Sequence, residues 1–168
     1  LTEMLHELAA GFNAVGRALA RDPAVLWPVL LDQARYLAEA EFTILALERE
    51  DTGTVDIIAS RGISGSAALV FLPGLLAAST DGRPHPAGRR NGGAEVTCVP
   101  LQVEGRTIGA MAFGLSGPAT VDQLLAVAGH VAAAVSTVRT AHRVADIGVV
   151  EERRRIAREM HDGLAQTL

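Results

Sequence analysis

The chain has 168 residues and a mass of 17.5 kDa, and 49% of its residues are apolar, enough for one buried core of ordinary domain size and too little for two full domains. Its formal net charge is −4, and its basic residues are scattered apart from one short cluster, which argues against a general nucleic-acid or polyanion binder. The single cysteine, Cys98, excludes an internal disulfide, an iron–sulfur cluster and a cysteine-rich zinc site held by one chain, and no metal site is expected.

No uninterrupted apolar run reaches the roughly 18 to 20 residues of a membrane-spanning helix, and no basic segment followed by an apolar stretch opens the chain, so a cytoplasmic location is expected. All fifteen basic residues are arginine, as the codon usage of a G+C-rich bacterial genome would produce. The chain opens on Leu1 and stops at Leu168 inside a helical pattern without a stop signal, as expected of a piece of a longer protein.

From Leu1 to Ala20, the apolar residues Leu1, Leu5, Leu8, Phe12, Val15 and Leu19 alternate spacings of four and three, a heptad stripe that needs a partner. Asp22-Pro23 stops that helix and starts another. Ala24 to Ala40 reads as an amphipathic helix with Val25, Leu26, Val29, Leu30, Ala34 and Leu37 on its apolar face, and Pro28 falls in its first turns. Phe42 to Leu47 is apolar on both alternating faces, the pattern of a central strand. Glu50-Asp51-Thr52-Gly53 turns the chain into a second strand, Val55 to Ser60. Ser64 to Ala78 is small and apolar and predicts one or two short helices. Ser79 to Gly93, rich in Gly, Pro and Arg, predicts a mobile loop. Glu95 to Val103 and Arg106 to Phe113 form a hairpin about Glu104-Gly105, with Pro100 expected at an edge or a bulge. After Gly117-Pro118 the pattern is helical to the end. Leu124, Ala128, Val131, Val135, Val138, His142, Ala145 and Val149 repeat the four-three alternation along a helix of roughly 70 Å, which must project from the domain; its length favours a dimer seam on a second copy, the alternative being a stripe that faces the core.

Two segments carry family resemblances. The element order, with the hairpin Val96-Thr-Cys-Val-Pro-Leu-Gln-Val-Glu-Gly-Arg-Thr-Ile-Gly109-Ala-Met-Ala-Phe113 before the last helix, resembles a GAF domain over residues 20 to 140. The run Glu151-Glu-Arg-Arg-Arg-Ile-Ala-Arg-Glu-Met-His161-Asp162-Gly-Leu-Ala-Gln166-Thr-Leu168 is similar to the phospho-acceptor helix of bacterial sensor histidine kinases that partner NarL-type response regulators. That resemblance implies His161 as phospho-acceptor, Asp162 as general base and Gln166 as the phosphatase residue. A neutral imidazole is a competent nucleophile at cell pH. Asp162 stands about 100° round the helix from His161, and Gln166 shares its face. Arg153, Arg154, Arg155 and Arg158 form a basic collar suited to an acidic partner face or to nucleotide phosphates, or else a solvated helix face.

GAF domains hold ligands in a concave pocket, and several classes can be tested on residues. The cyclic-nucleotide signature contains a lysine, which this chain lacks. Bilin attachment needs a cysteine on a helix or loop, whereas Cys98 falls in a predicted strand. Haem-binding relatives carry a histidine before the Val-Pro-Leu strand, where this chain has Arg89-Arg90-Asn91-Gly92-Gly93 with His85 nearby. The ligand therefore stays unknown: a small molecule in an apolar pocket, or none.

The expected architecture is α+β: a GAF-like antiparallel sheet of five or six strands flanked by helices, with long N- and C-terminal helices in a dimeric bundle. Residues 1–20 form a signalling helix, 21–140 the GAF sensor, and 141–168 the connector and start of the dimerisation and phospho-acceptor helix. The expected function is sensory input to a two-component histidine kinase. ATP and Mg are used by the parent kinase, because the fragment lacks an ATP-binding domain and should be inactive alone. A homodimer and a NarL-type response regulator are the expected partners. The alternatives are a ligand-free GAF module that only relays packing changes, and a degenerate kinase acting mainly as a phosphatase through Gln166.

Overall fold

The computed structural model describes residues 23–167, together with Glu3 and Ala10. The heptad helix expected over 1–20 therefore lies, those two positions apart, outside the described residues. In chain order the elements are α1 (Pro23–Leu37), β1 (Ala40–Glu48), β2 (Val55–Arg61), α2 (Gly65–Ala68), a 3-10 turn (Leu69–Phe71), α3 (Leu72–Asp81), β3 (His85–Arg89), β4 (Glu95–Val103), β5 (Arg106–Leu115) and α4 (Val121–Thr167). The strands form one antiparallel sheet in the order β2-β1-β5-β4-β3.

The sheet is covered on both faces, by residues of different size. One face carries Leu45, Leu47, Val99, Leu101, Met111 and Phe113, which pack against α1 and α4. The opposite face is built of Ile44, Ala46, Cys98, Ala110 and Ala112 with Phe42, and meets Phe71, Leu75 and Ala78 of the 3-10 turn and α3. Small side chains there let α3 lie close: a Cβ on Gly74 would crowd Ala87 and the Cys98 sulfur. Six consecutive buried residues in β1, Phe42–Leu47, follow from this double cover. The one buried polar residue among those described, Thr43, donates its hydroxyl to the Leu31 carbonyl at 3.1 Å, so its burial leaves no orphan group.

The α1 face differs from the expectation. Leu26, Leu30, Leu31, Ala34 and Ala38 are buried, whereas Val25 is 48% exposed. The buried arc is centred between Leu30 and Ala34, which turns Leu31 inward and Val25 out. Pro28 is accommodated inside the helix. A left-handed Glu39 (φ 50°) then ends the segment and delivers the chain into β1.

The stretch expected as a loop over 79–93 is largely ordered. α3 continues to Asp81 and ends on left-handed Gly82, and His85–Arg89 form an edge strand on β4 with a register shift between Pro86 and Arg89. Only one side of an edge strand is hydrogen-bonded, so Pro86 and Gly88 are tolerated there. β3 pairs with β4 only as far as Cys98, so Pro100 sits where β4 has lost its outer neighbour, as its missing N–H requires. The β4–β5 hairpin turns on Glu104 and Gly105, both with positive φ, the two-residue turn that matches strand twist.

α4 opens with a reciprocal cap. The Thr120 hydroxyl accepts from the Gln123 amide at 3.2 Å, and the Gln123 side chain accepts from the Thr120 amide at 3.1 Å. The helix then runs 47 residues, about 70 Å. Its stripe divides. Leu124, Ala128, Val131, Val135 and Val138 are buried in the domain's own core, not on a second copy, because α4 closes the large-residue face of the sheet. From Ala141 to Gln166 every residue is exposed. By length and hydropathy α4 would also pass as a membrane span, but its most apolar stretch is the part that covers the sheet.

Two glycines on neighbouring elements should respond oppositely to alanine. A Cβ on Gly109 would strike the Ala46 carbonyl, so Gly109→Ala should cost about 3 kcal/mol or more in denaturant unfolding, whereas Gly148→Ala, with nothing within 4 Å on an exposed helix, should stabilise by about 0.5 to 1 kcal/mol. Cys98 supplies a pH dependence. Burial pushes its thiol up from 9.0 to about 12, so the folded chain keeps a proton that the unfolded chain releases above pH 9. Stability should fall between pH 9 and 12 by up to about 1.4 kcal/mol per pH unit, and Cys98→Ala should flatten that slope relative to the other titrating groups.

Candidate phospho-acceptor helix

The exposed half of α4 places its side chains by helical geometry alone, about 100° and 1.5 Å per residue. His161 and Asp162 are adjacent and open to solvent, with side chains 86% and 79% exposed, and His161 Nδ1 lies 3.9 Å from Asp162 Oδ1. Asp162 thus faces Nδ1 and leaves Nε2 as the outer ring nitrogen. Gln166 is exposed one turn beyond Asp162 on the same side, about 140° round from His161. The structure brings His161 and Asp162 together and sets Gln166 beside Asp162, not against the ring.

The arginine collar divides into two kinds. Arg155 is bonded on both sides: its Nε and Nη2 donate to Glu152 at 3.0 and 2.6 Å, and its Nη1 donates to Glu159 at 2.5 Å. This bonding holds the Glu152 carboxyl below its ordinary value and the Arg155 guanidinium above its own. Among the described residues Arg158 reaches only the Arg154 carbonyl, its Nε at 3.4 Å.

Where α4 leaves the domain it is clamped to the β1–β2 turn. Arg139 Nη2 donates to the Glu48 carbonyl at 2.5 Å, and one turn later Arg143 pairs with Glu50. Glu50, Arg139 and Arg143 line a groove of about 410 Å³ together with Val103 and Arg106 of the β4–β5 hairpin. Sequence reasoning missed this clamp. Its signal is two arginines four apart at the point where the buried stripe gives way to an exposed one.

The residues weighed against GAF ligands are also placed. Cys98 is fully buried in β4 against α3, with its thiol pushed up to about 12 by burial. His85 stands on edge strand β3, its Nε2 2.9 Å from Asp81 Oδ2 but out of hydrogen-bond alignment. Arg90 lies over the Phe42 ring, 5.6 Å from its centroid, and Phe42 stacks on Phe71 at 5.7 Å.

Residues 152–168 match the histidine kinase family (HisKA_3). No curated protein sequence matches the chain. Among solved structures, the GAF-B domain of DevS from Mycobacterium smegmatis is similar at 20% identity and a TM-score of 0.55, covering 73% of this chain and 99% of that one. The GAF domain of a sensor histidine kinase from Pseudomonas syringae pv. tomato is similar at 16% identity and TM-score 0.54, covering 86% and 96%. The GAF domain of an Acinetobacter phosphoenolpyruvate-protein phosphotransferase is similar at 13% identity and TM-score 0.54, covering 85% and 95%. At such identities the likeness speaks for the fold alone, and the fold serves proteins of different activity. The chain thus joins a GAF fold, through one unbroken helix, to a segment that matches the histidine kinase family.

Proposed function

We propose that the chain is the sensory input module of a two-component histidine kinase and that His161 is the kinase's phospho-acceptor. The observation that carries this reading is α4: half of it is domain core, and its exposed half bears His161 inside the residues that match the histidine kinase family. The neutral imidazole attacks through Nε2, the nitrogen turned away from Asp162. The Nε2–P bond forms as the bond from the γ-phosphorus of ATP to the ADP oxygen breaks, and the Nδ1 proton is held by or passed to Asp162. ATP and Mg²⁺ act in the parent kinase. A NarL-type regulator receives the phosphoryl group on an aspartate, and Gln166 orients the water that later removes it. A cytoplasmic location belongs to the same reading.

The active assembly is a homodimer. Ala145, Val149, Ile156 and Met160 continue the direction of the buried stripe to within about 60° and stand exposed, the seam of a paired helix. Val144 and Ile147 are exposed on the far side of α4, so this segment takes more than one neighbour.

A specific observation favours the ligand-free form of this reading, in which the GAF domain relays strain from elsewhere. The face of the sheet under α3 is filled by Phe42 stacked on Phe71, with Leu75 and Ala78 beside them. A ligand on that face would have to displace fully buried side chains.

With the full-length kinase and γ-labelled ATP, label is expected on His161, and its persistence in His161→Gln would overturn the assignment. The clamp at the root of α4 makes a second expectation. Arg139→Ala should raise hydrogen exchange of the amides at 139–150 by about tenfold. Glu50→Arg should raise it less, within about fivefold, and adding Arg143→Glu should restore protection. Unchanged exchange in all three variants would remove the clamp from the signal path.

A further inference from the structure

The four arginines before His161 look alike in sequence, but the helix sorts them. Arg155 stands about 120° round from His161, towards the side that carries Glu152 and Glu159 at about 180° and 160°. Its guanidinium is occupied by both carboxylates. Arg154 and Arg158 stand about 20° and 60° from His161, two turns and one turn towards the helix N-terminus. Among the described residues neither pairs with a carboxylate, and the single side-chain bond between them is the 3.4 Å contact of Arg158 Nε with the Arg154 carbonyl.

Three physical points bear on this arrangement. Helical side chains lean towards the N-terminus, so the His161 ring overhangs the turn that carries Arg158. Asp162 faces Nδ1, so a phosphoryl group on Nε2 projects outward from the helix, and Arg158, at about 60°, stands between His161 and Asp162 within one turn of both. Arg154 and Arg158 are like charges four apart, which disfavours the bare helix, and a dianion seated between them removes that repulsion.

We infer that Arg154 and Arg158 bind the phosphoryl group of phospho-His161, whereas Arg155 takes no part because Glu152 and Glu159 already neutralise it. Arg158, one turn away, makes the nearer contact, and its planar fork suits two of the three phosphoryl oxygens. The same pair meets the charge that develops on those oxygens as the Nε2–P bond forms and the bond to ADP breaks. This inference rests on the reading of His161 as phospho-acceptor and assigns residues to that site.

Two experiments test it. In the first, the present chain is phosphorylated with phosphoramidate, and the phosphorus-31 resonance that disappears in His161→Gln is followed against pH. The double variant Arg154→Gln/Arg158→Gln is expected to raise the pKa of that phosphoryl group by about one unit, because two nearby cations favour its dianion, and Arg155→Gln is expected to leave it in place. No change in the double variant, or an equal change in Arg155→Gln, overturns the inference without touching the kinase reading. In the second, Arg158→Gln in the full-length kinase is expected to slow autophosphorylation about 10- to 100-fold in kcat with less change in KM for ATP, and Arg158→Lys to recover part of it. Normal autophosphorylation with slowed transfer to the regulator would place the arginines in protein docking and overturn the inference. Absence of label on His161 in the unaltered kinase would overturn the parent reading instead.

Discussion

The structure depends on one constraint: α4 is a single helix that must bury an apolar stripe along its whole length against different partners. Over Leu124–Val138 the partner is the domain's own sheet, and the stripe residues there are almost wholly inaccessible. Beyond Thr140 none of the described residues covers it. A helix packed at core density resists rotation and sliding of its buried half, so any shift the domain imposes arrives at the exposed half undivided. The reciprocal cap at Thr120 and Gln123 marks one end of the held segment, and the Arg139 and Arg143 clamp marks the other.

The asymmetry of the sheet decides how such a shift can arise. Large side chains on one face interlock with α1 and α4, while the alanine-rich opposite face lets α3 and the 3-10 turn lie close. Both faces share the central strands β1 and β5, whose alternate residues point to opposite layers. A change under α3 therefore reaches α4 through Ile44 and Leu45, or Ala112 and Met111, which are chain neighbours on opposite sides of one pleat. The β1–β2 turn offers a more direct route, because Glu48 ends β1 and its carbonyl holds Arg139. The clamp couples hairpin and helix root at the last point before α4 leaves the core.

Much of this was legible in the sequence where local chemistry and tertiary demand agree. The apolar run Phe42–Leu47, the Glu104-Gly105 turn and the start of α4 are each specified by period or by turn chemistry, and they fall where expected. Strand β3 was not legible, because an edge strand with one bonded side can be written in Pro, Gly and Arg, the vocabulary of a loop. The α1 face departs from its periodicity at Val25 and Leu31 because the period fixes an arc's width but not its centre, which the packing on β1 and α4 sets. The α4 stripe fits a core face and a dimer seam alike, because a heptad pattern is the same whether a sheet or a helix covers it, and over Leu124–Val138 the sheet covers it. At the candidate site the spacing of His161, Asp162 and Gln166 was visible. The division of the arginines was not, since it depends on which carboxylates lie three and four residues from each.

That division bears on what a solvent-exposed helix can specify without a cavity. Exposed ion pairs stabilise a helix little, so the double pairing of Arg155 matters less for stability than for the charge pattern it leaves. By neutralising one arginine on the carboxylate side, Glu152 and Glu159 leave that side nearly balanced, while the His161 side keeps unpaired cations at Arg154 and Arg158. Among the described residues the helix thus keeps two cations without a carboxylate partner one and two turns before His161, beside Asp162 and not opposite it. Asp162 beside Nδ1 makes the two ring nitrogens of His161 unlike, as the proposed proton transfer at one nitrogen and nucleophilic attack at the other require.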